Sequence, residues 1–365
     1  MSTISKIDFN MNYMMINDLI DWYSKQNTEY LVDLGNLICK KVHGSKVYLR
    51  GLIEFSNVCE SDCLYCGIRK SNKKVNRYIL SNEKIENIIL NGLKKGFNTF
   101  VLQSGENQAA IPDKICELLQ NVRKKFGDDF AITLSCGVYP KEVYREWKRL
   151  GANRYLLRFE TSDEKLYKKL CPGKSFSKRL SALEDLKSEG YEVGSGFMVG
   201  LPEETLAIRM QNILLCHYFG FDMIGIGPFI PNENTPLKDV RALPIEETIR
   251  ITAMLRIFLP YANIPATTAA GSIDTYGREK MLKAGANVLM PNITPIENKK
   301  DYLLYPNKIC LDEDGIKCLS CLDSRVKSIG KTLSFERGDS ISKKNDDFIY
   351  FNFFNWSKSE WSKIE

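Results

Sequence analysis

The 365-residue chain carries 51 Lys and Arg against 45 Asp and Glu, a formal net charge of +6, and is 44% hydrophobic. That length allows one large domain or two average ones with a sizeable core. The small, dispersed charge excess argues against nucleic acid or an anionic membrane as a partner. No apolar run approaches the roughly 20 residues that a bilayer span needs. The N-terminus lacks the basic-then-apolar order of a signal peptide and does not read as a transit peptide, so a soluble, cytoplasmic protein is expected.

Residues 1–46 are expected to form a helical segment, with helical apolar spacing in 14–23 and 31–38. An alternating rhythm then begins. Short β-branched or aliphatic runs recur near 48–55, 98–103, 130–135, 154–159, 192–199, 222–227, 263–268 and 286–290. Helical patterns lie between them at 83–95, 112–125, 140–150, 176–189, 205–218, 245–258 and 275–284. Repeated βα units imply parallel strands joined by right-handed crossovers. Eight of them predict an α/β fold, a (β/α)8 TIM-type barrel over residues 47–298. An open doubly wound sheet is the alternative, weakened because no GxGxxG follows the first strand. Residues 299–365 read as a C-terminal extension that holds a second cysteine group and an aromatic tail, Phe348 to Trp361. The tail is expected to pack back on the barrel.

Barrel enzymes place their chemistry at the C-terminal ends of the strands. The distinctive polar stretches fall there in chain order: SNVC, QSGEN, TLSCG, RFET, GFMVGLP, IGPFIP, ATTAAG and MPNITP.

The chain has 11 cysteines and only two histidines, His43 and His217, so any metal must be held mainly by sulfur. Thiolate-only ligation suits iron–sulfur clusters or zinc. Cys59, Cys63 and Cys66 form a CxxxCxxC spacing directly after the first strand. Three thiolates bind three irons of a cubane and leave the fourth open, whereas an electron-transfer cubane takes four cysteines. Zinc would want a fourth Cys or His nearby, and none is close in sequence. Cys116, Cys136 and Cys171 stand alone and read as small core residues. A second group, Cys310-x7-Cys318-x2-Cys321, suits an iron–sulfur cluster or zinc equally by ligand type.

The motif, its position and the barrel pattern together resemble the radical S-adenosylmethionine (SAM) superfamily. Longer stretches narrow the resemblance. RGLIEFSNVCESDCLYCGIRKSNKKVNRY, VLQSGEN, RYLLRFET, MVGLPEET, FDMIGIGPFIPNENTPL, IPATTAAGSID and GANVLMPNITP look like the HydE family of FeFe-hydrogenase maturases. It runs from about Val47 to Ser328. Methylornithine synthase and biotin synthase share the cluster motif and barrel.

The resemblance implies a [4Fe-4S] cluster on Cys59, Cys63 and Cys66, and SAM bound by Tyr65, Gln103, Ser104, Glu160 and Arg179. It also implies a substrate cavity lined by Thr133, Arg158, Thr267, Thr268 and Tyr305, with Met198, Met223 and Met290 as apolar lining. A second iron–sulfur cluster, [2Fe-2S] or [4Fe-4S], is implied on Cys310, Cys318 and Cys321. The implied activity is reductive SAM cleavage in assembly of the hydrogenase diiron cofactor. The implied substrate is a cysteine-bound iron carbonyl cyanide species. The implied partners are a companion radical SAM maturase, a scaffold GTPase and an electron donor. The alternatives are an amino-acid mutase of the methylornithine synthase type and a non-catalytic iron–sulfur carrier. Arg158 and Glu160 alternate along their strand and so face one side, where a buried charged pair is costly without a ligand.

Overall fold

Side chains that cap helices mark the starts of four of the helices. Ser81, Asp163, Ser175 and Thr205 each accept a hydrogen bond from the backbone N–H three residues on, opening helices Asn82–Lys94, Glu164–Leu170, Phe176–Ser188 and Leu206–Phe219. Such caps satisfy N–H groups that the helix itself leaves unpaired. Helix Ile111–Phe126 buries Ile111, Ile115, Leu118, Leu119 and Val122, a stripe at helical period turned onto the sheet.

The computed structural model describes residues 9–313, 315 and 318–341, with side chains from residue 16 on. The aromatic tail Phe348 to Trp361 lies outside the described residues. The strands are β1 (Lys46–Leu49), β2 (Gly51–Ser56), β3 (Thr99–Ser104), β4 (Ala131–Ser135), β5 (Arg154–Leu156), β6 (Glu192–Ser195), β7 (Met198–Val199), β8 (Met223–Ile224), β9 (Gly227–Pro228), β10 (Val288–Leu289) and β11 (Thr332–Ser334). A parallel sheet runs β2-β3-β4-β5-β6-β8. Parallel bridges Met223↔Asn263, Pro265↔Val288 and Leu52↔Asn292 carry it onward through 263–265 and β10 back to the first strand, where Tyr48 pairs with Val288. The ring therefore closes as an eight-stranded α/β barrel. The seventh strand is held by bridges rather than a full ladder because Pro265 has no N–H to give.

The expected run 48–55 divides into β1 and β2 around Arg50, and two later strands are split as well. The run 192–199 breaks into β6 and β7, and 222–227 into β8 and β9, with β7 pairing β9 through Met198↔Gly227. The breaks lie side by side: Gly196 has φ 152°, and a Cβ there would sit 2.1 Å from the Gly225 carbonyl oxygen. Only glycine permits that approach.

The segment after the barrel also enters the sheet. β11 pairs with β1 in parallel, Val47 opposite Leu333. The chain then crosses the N-terminal ends of the strands. Arg337 accepts at its carbonyl from Thr99 at 2.8 Å and from Arg154 at 2.9 Å. Gly338 accepts from Arg50 at 3.3 Å and Asn263 at 3.2 Å. Asp339 pairs with Arg154 at 2.6 Å. This segment floors the barrel, so the cavity opens at the other end.

Candidate active site

The loop after β2 is wound around its own polar side chains. Arg77 donates to the carbonyls of Asn57, Ile68, Arg69 and Asn72 at 2.6–3.1 Å. Asn57 donates to Asn76 and Asp301 carbonyls at 2.8 and 2.7 Å. Asp62 receives both edges of Arg69, at 2.8 and 2.6 Å, and that guanidinium holds its carboxyl well below the usual range. Such a loop presents Cys59, Cys63 and Cys66 with its backbone groups satisfied. Gly105 permits the close seat: a Cβ there would meet the Val58 carbonyl oxygen at 2.4 Å and the Cys59 Cβ at 2.8 Å.

All three thiols line one cavity of ≈ 360 Å³ inside the barrel. Tyr65, Gln103, Ser104, Thr133, Arg158, Glu160, Arg179, Thr267, Thr268 and Tyr305 line it as well, as do Met198, Met223 and Met290. Cys310, Cys318 and Cys321 do not line it. Cys321 is exposed, and the Cys318 thiol donates to Glu313 at 2.6 Å.

The Arg158 Nη2 and Glu160 Oε2 atoms lie 3.1 Å apart but are misaligned for a hydrogen bond. With Arg158 Nε and the Thr133 hydroxyl, they are buried without a hydrogen-bond partner. A buried polar group left without a partner costs about 1–3 kcal/mol; Arg158 Nη2 and Glu160 Oε2 meet as an ion pair while Arg158 Nε and the Thr133 hydroxyl have no hydrogen bond, and together these groups suit a polar ligand. Glu160 also has φ 69°, a left-handed conformation that costs a non-glycine residue about 1–3 kcal/mol and clusters at ligand clamps.

Arg179 differs from Arg158. It is buried, and it donates from Nε to the Tyr167 hydroxyl and from Nη2 to Glu106, each at 2.8 Å. Glu106 also takes Lys174 and the Ser61 hydroxyl. Burial raises the Glu106 carboxyl, but Arg179 and Lys174 prevail and hold it below its ordinary value.

Arg50, Glu54, Glu106, Tyr302 and Lys308 line the cavity without being singled out by the motifs. Glu106 sits inside the QSGEN run, and that position is its sequence signal. Lys308 and Glu54 form a buried pair at 2.5 Å, and Asn292 donates to Glu54 at 2.7 Å. The Tyr302 hydroxyl accepts from Gln103 at 3.1 Å. Burial and the neighbouring Arg154 push Arg50 down to about 9.

Three thiols on one loop at one cavity suit a cubane, which takes one thiolate on each of three irons. Among the described residues, no three His, Cys, Asp or Glu side chains converge as a single-ion site. A cubane puts each thiolate on a different iron, which requires neighbouring thiols rather than convergent ones.

Comparison with known proteins agrees with this geometry. Residues 53–216 match the Radical SAM superfamily, and residues 226–310 match the Biotin and Thiamin Synthesis associated domain. The [FeFe] hydrogenase maturase subunit HydE of Thermotoga maritima is 45% identical over 303 residues, 83% of this chain and 86% of that protein. The crystal structure of methylornithine synthase superposes with a TM-score of 0.74 at 27% identity, covering 87% of this chain and 94% of that one. The maturase HydG of Carboxydothermus hydrogenoformans shares the fold, with a TM-score of 0.70 at 19% identity over 91% and 82% of the two chains. No helix among the described residues is long and apolar enough to cross a membrane. The barrel, its thiol-lined cavity and the 45% identity converge: the chain belongs to the HydE family of radical SAM enzymes.

Proposed function

We propose that the enzyme reductively cleaves SAM in the assembly of the diiron cofactor of [FeFe] hydrogenase. The observation that carries the proposal is the meeting, in one cavity, of the three motif thiols with the unpaired polar atoms of Thr133, Arg158 and Glu160. When bound, a [4Fe-4S] cluster and SAM supply electron transfer into the sulfonium and a 5′-deoxyadenosyl radical, chemistry that belongs to the cofactors.

The chain's residues bind and orient. Cys59, Cys63 and Cys66 would hold three irons and leave the fourth for SAM. Tyr65 would lie along the adenine, with Gln103 and Ser104 at the amino group. Glu160 and the free edge of Arg179 would hold the remaining polar groups of SAM, Arg179 as a planar donor to the carboxylate. Arg158, Thr133, Thr267, Thr268 and Tyr305 would receive an amino-acid carboxylate of the substrate, with the methionines as its apolar walls. The substrate we infer is a cysteine-bound iron carbonyl cyanide species, supplied by a companion radical SAM maturase and passed on to a scaffold GTPase. Residues 47–298 would form the catalytic barrel, flanked by the helical segment 1–46 and the extension 299–365. Cys310, Cys318 and Cys321 would carry an accessory iron–sulfur cluster.

The test is in vitro maturation of apo-hydrogenase with the reconstituted protein. Hydrogenase activity should require this chain and SAM together. Formation of 3-methylornithine from lysine would instead assign the mutase reading. A protein that binds iron but never cleaves SAM would be a carrier.

A further inference from the structure

Glu54 on β2 and Gln103 on β3 stand opposite each other in a parallel pair, and both line the cavity. Residues 301–308, beyond the last barrel strand, supply a partner to each. Lys308 pairs with Glu54 at 2.5 Å. The Tyr302 hydroxyl accepts from the Gln103 amide nitrogen at 3.1 Å. The two partners also hold each other. The Lys308 ammonium donates to the Tyr302 carbonyl at 3.2 Å and lies 5.5 Å from the centre of its ring. Tyr302 is 1% exposed, and a ring packed that closely keeps one orientation.

The segment that carries Tyr302 is clipped to the cysteine loop. The Asp301 carbonyl accepts from Asn57 at 2.7 Å, and the Leu304 carbonyl accepts from the Gly67 N–H at 2.9 Å. Gly67, next to Cys66, leaves room for this: a Cβ there would sit 1.9 Å from the Leu303 carbonyl oxygen. Tyr302 is therefore fixed to the loop of the three thiols and to Gln103 at once.

A primary amide has a donor end and an acceptor end. With its nitrogen engaged by Tyr302, Gln103 offers the cavity its oxygen. That end accepts from an amino group, whereas the nitrogen end would meet it donor to donor. An unanchored amide would lose its rotational freedom only when the ligand arrives, which costs binding energy. Tyr302 takes that loss beforehand.

We propose that Tyr302 is a positioning residue for the SAM site: it orients the Gln103 amide so that the oxygen receives the SAM amino group, and the Lys308–Glu54 pair holds Tyr302 in place. The inference rests on the reading of Gln103 as a SAM contact. It makes the segment after the barrel part of the cofactor site, although that segment lies outside the run 53–216 that matches the Radical SAM superfamily.

The experiment uses the full chain, reconstituted anaerobically with iron and sulfide. Equilibrium dialysis gives the Kd for SAM and for 5′-methylthioadenosine, which keeps the adenine, ribose and sulfur and lacks the amino-acid arm. The native protein is compared with Tyr302→Phe, Gln103→Ala and the double variant. Tyr302→Phe should weaken SAM binding roughly tenfold, the scale of one lost hydrogen bond, and leave 5′-methylthioadenosine unchanged. In the Gln103→Ala background the Tyr302 change should add nothing, because the amide it orients is gone. Tyr302→Phe at the native SAM affinity overturns the inference, as do equal losses for both ligands or losses that multiply in the double variant. If Tyr302→Phe does not load iron, Lys308→Met decides with the same two ligands. A loss for SAM alone supports the inference, and equal losses or none refute it. A native protein that fails to bind SAM, or a Gln103→Ala variant that binds it as the native does, removes the SAM reading of Gln103 and this inference together. A Gln103→Ala loss with an unmoved Tyr302→Phe removes the inference alone.

Discussion

The two cysteine groups of this chain each end in a CxxC but differ in their surroundings. Cys59, Cys63 and Cys66 sit on a loop wound around Arg77 and Asn57 and line a ≈ 360 Å³ cavity with unpaired polar atoms beside them. Cys310, Cys318 and Cys321 sit on the segment after the last barrel strand, away from that cavity, with Cys321 exposed and Cys318 bonded to Glu313. Ligand type alone would let either group hold iron or zinc. What separates them is a neighbouring space where a bound molecule meets groups that need it. Thiol spacing alone points to a metal site in either group, and the cavity beside the first group is what supports the proposal that it is the reactive one.

The largest effect expected from breaking this contrast is in the first group. Cys59→Ala, Cys63→Ala and Cys66→Ala should each abolish formation of 5′-deoxyadenosine from SAM under strong reductant, read by chromatography. Activity surviving in all three variants would show that the first group is not the reactive centre.

The cavity itself should divide between cofactor and substrate. Removing one partner of a buried charge-assisted contact costs about 2–5 kcal/mol. Arg158→Ala should therefore cut hydrogenase maturation while SAM cleavage without substrate survives. Arg179→Ala should reduce both. Equal losses of SAM affinity in the two variants, measured by equilibrium binding, would place both arginines in the cofactor site. Arg158→Lys should rescue only in part, because a point charge lacks the planar fork.

A smaller effect concerns Glu106. Burial opposes its ionisation, but Arg179 and Lys174 hold its carboxyl below the ordinary value. A carboxyl depressed in the folded state contributes stability that is fully present above its unfolded pKa, about 4.3. That stability is lost as pH falls through the folded value. Glu106→Gln should thus lower stability at neutral pH, and its deficit against the native protein should shrink as pH falls below about 4.3. Urea unfolding across pH checks this, and a deficit independent of pH would mean that the ion pairs contribute no net stability.

The smallest effect should come from the second group. A triple Ala variant of Cys310, Cys318 and Cys321 should lose iron yet keep SAM cleavage near the native rate. Loss of cleavage in a folded variant, judged by circular dichroism, would make the two groups one machine.

Much of this was legible along the chain because it is local. The helix expected at 245–258 is helix Ile245–Phe258 in the structure, and the one expected at 176–189 ends one residue earlier, at Ser188. All eight expected strand regions take part in the barrel, even 263–268, which lacks a regular ladder. The thirteen site residues implied by the resemblance, Cys59 through Tyr305, do line one cavity. The paired breaks at Gly196 and Gly225 were not legible, because they follow from two backbones meeting side by side rather than from either run.

The amino-acid sequence alone determined the period of each element, the caps that start the helices and the three thiols at the end of the first strand. Each of these depends on residues within a turn or two of one another. Only the closed barrel decided who stands opposite whom. Arg179 meets Glu106 across 73 positions, and Lys308 meets Glu54 across 254. The floor of residues 331–340 and the contact of Tyr65 with Cys171 depend on the same closure. Contacts between residues far apart in the chain are selected by the shared geometry of the barrel, which brings every strand end to one mouth.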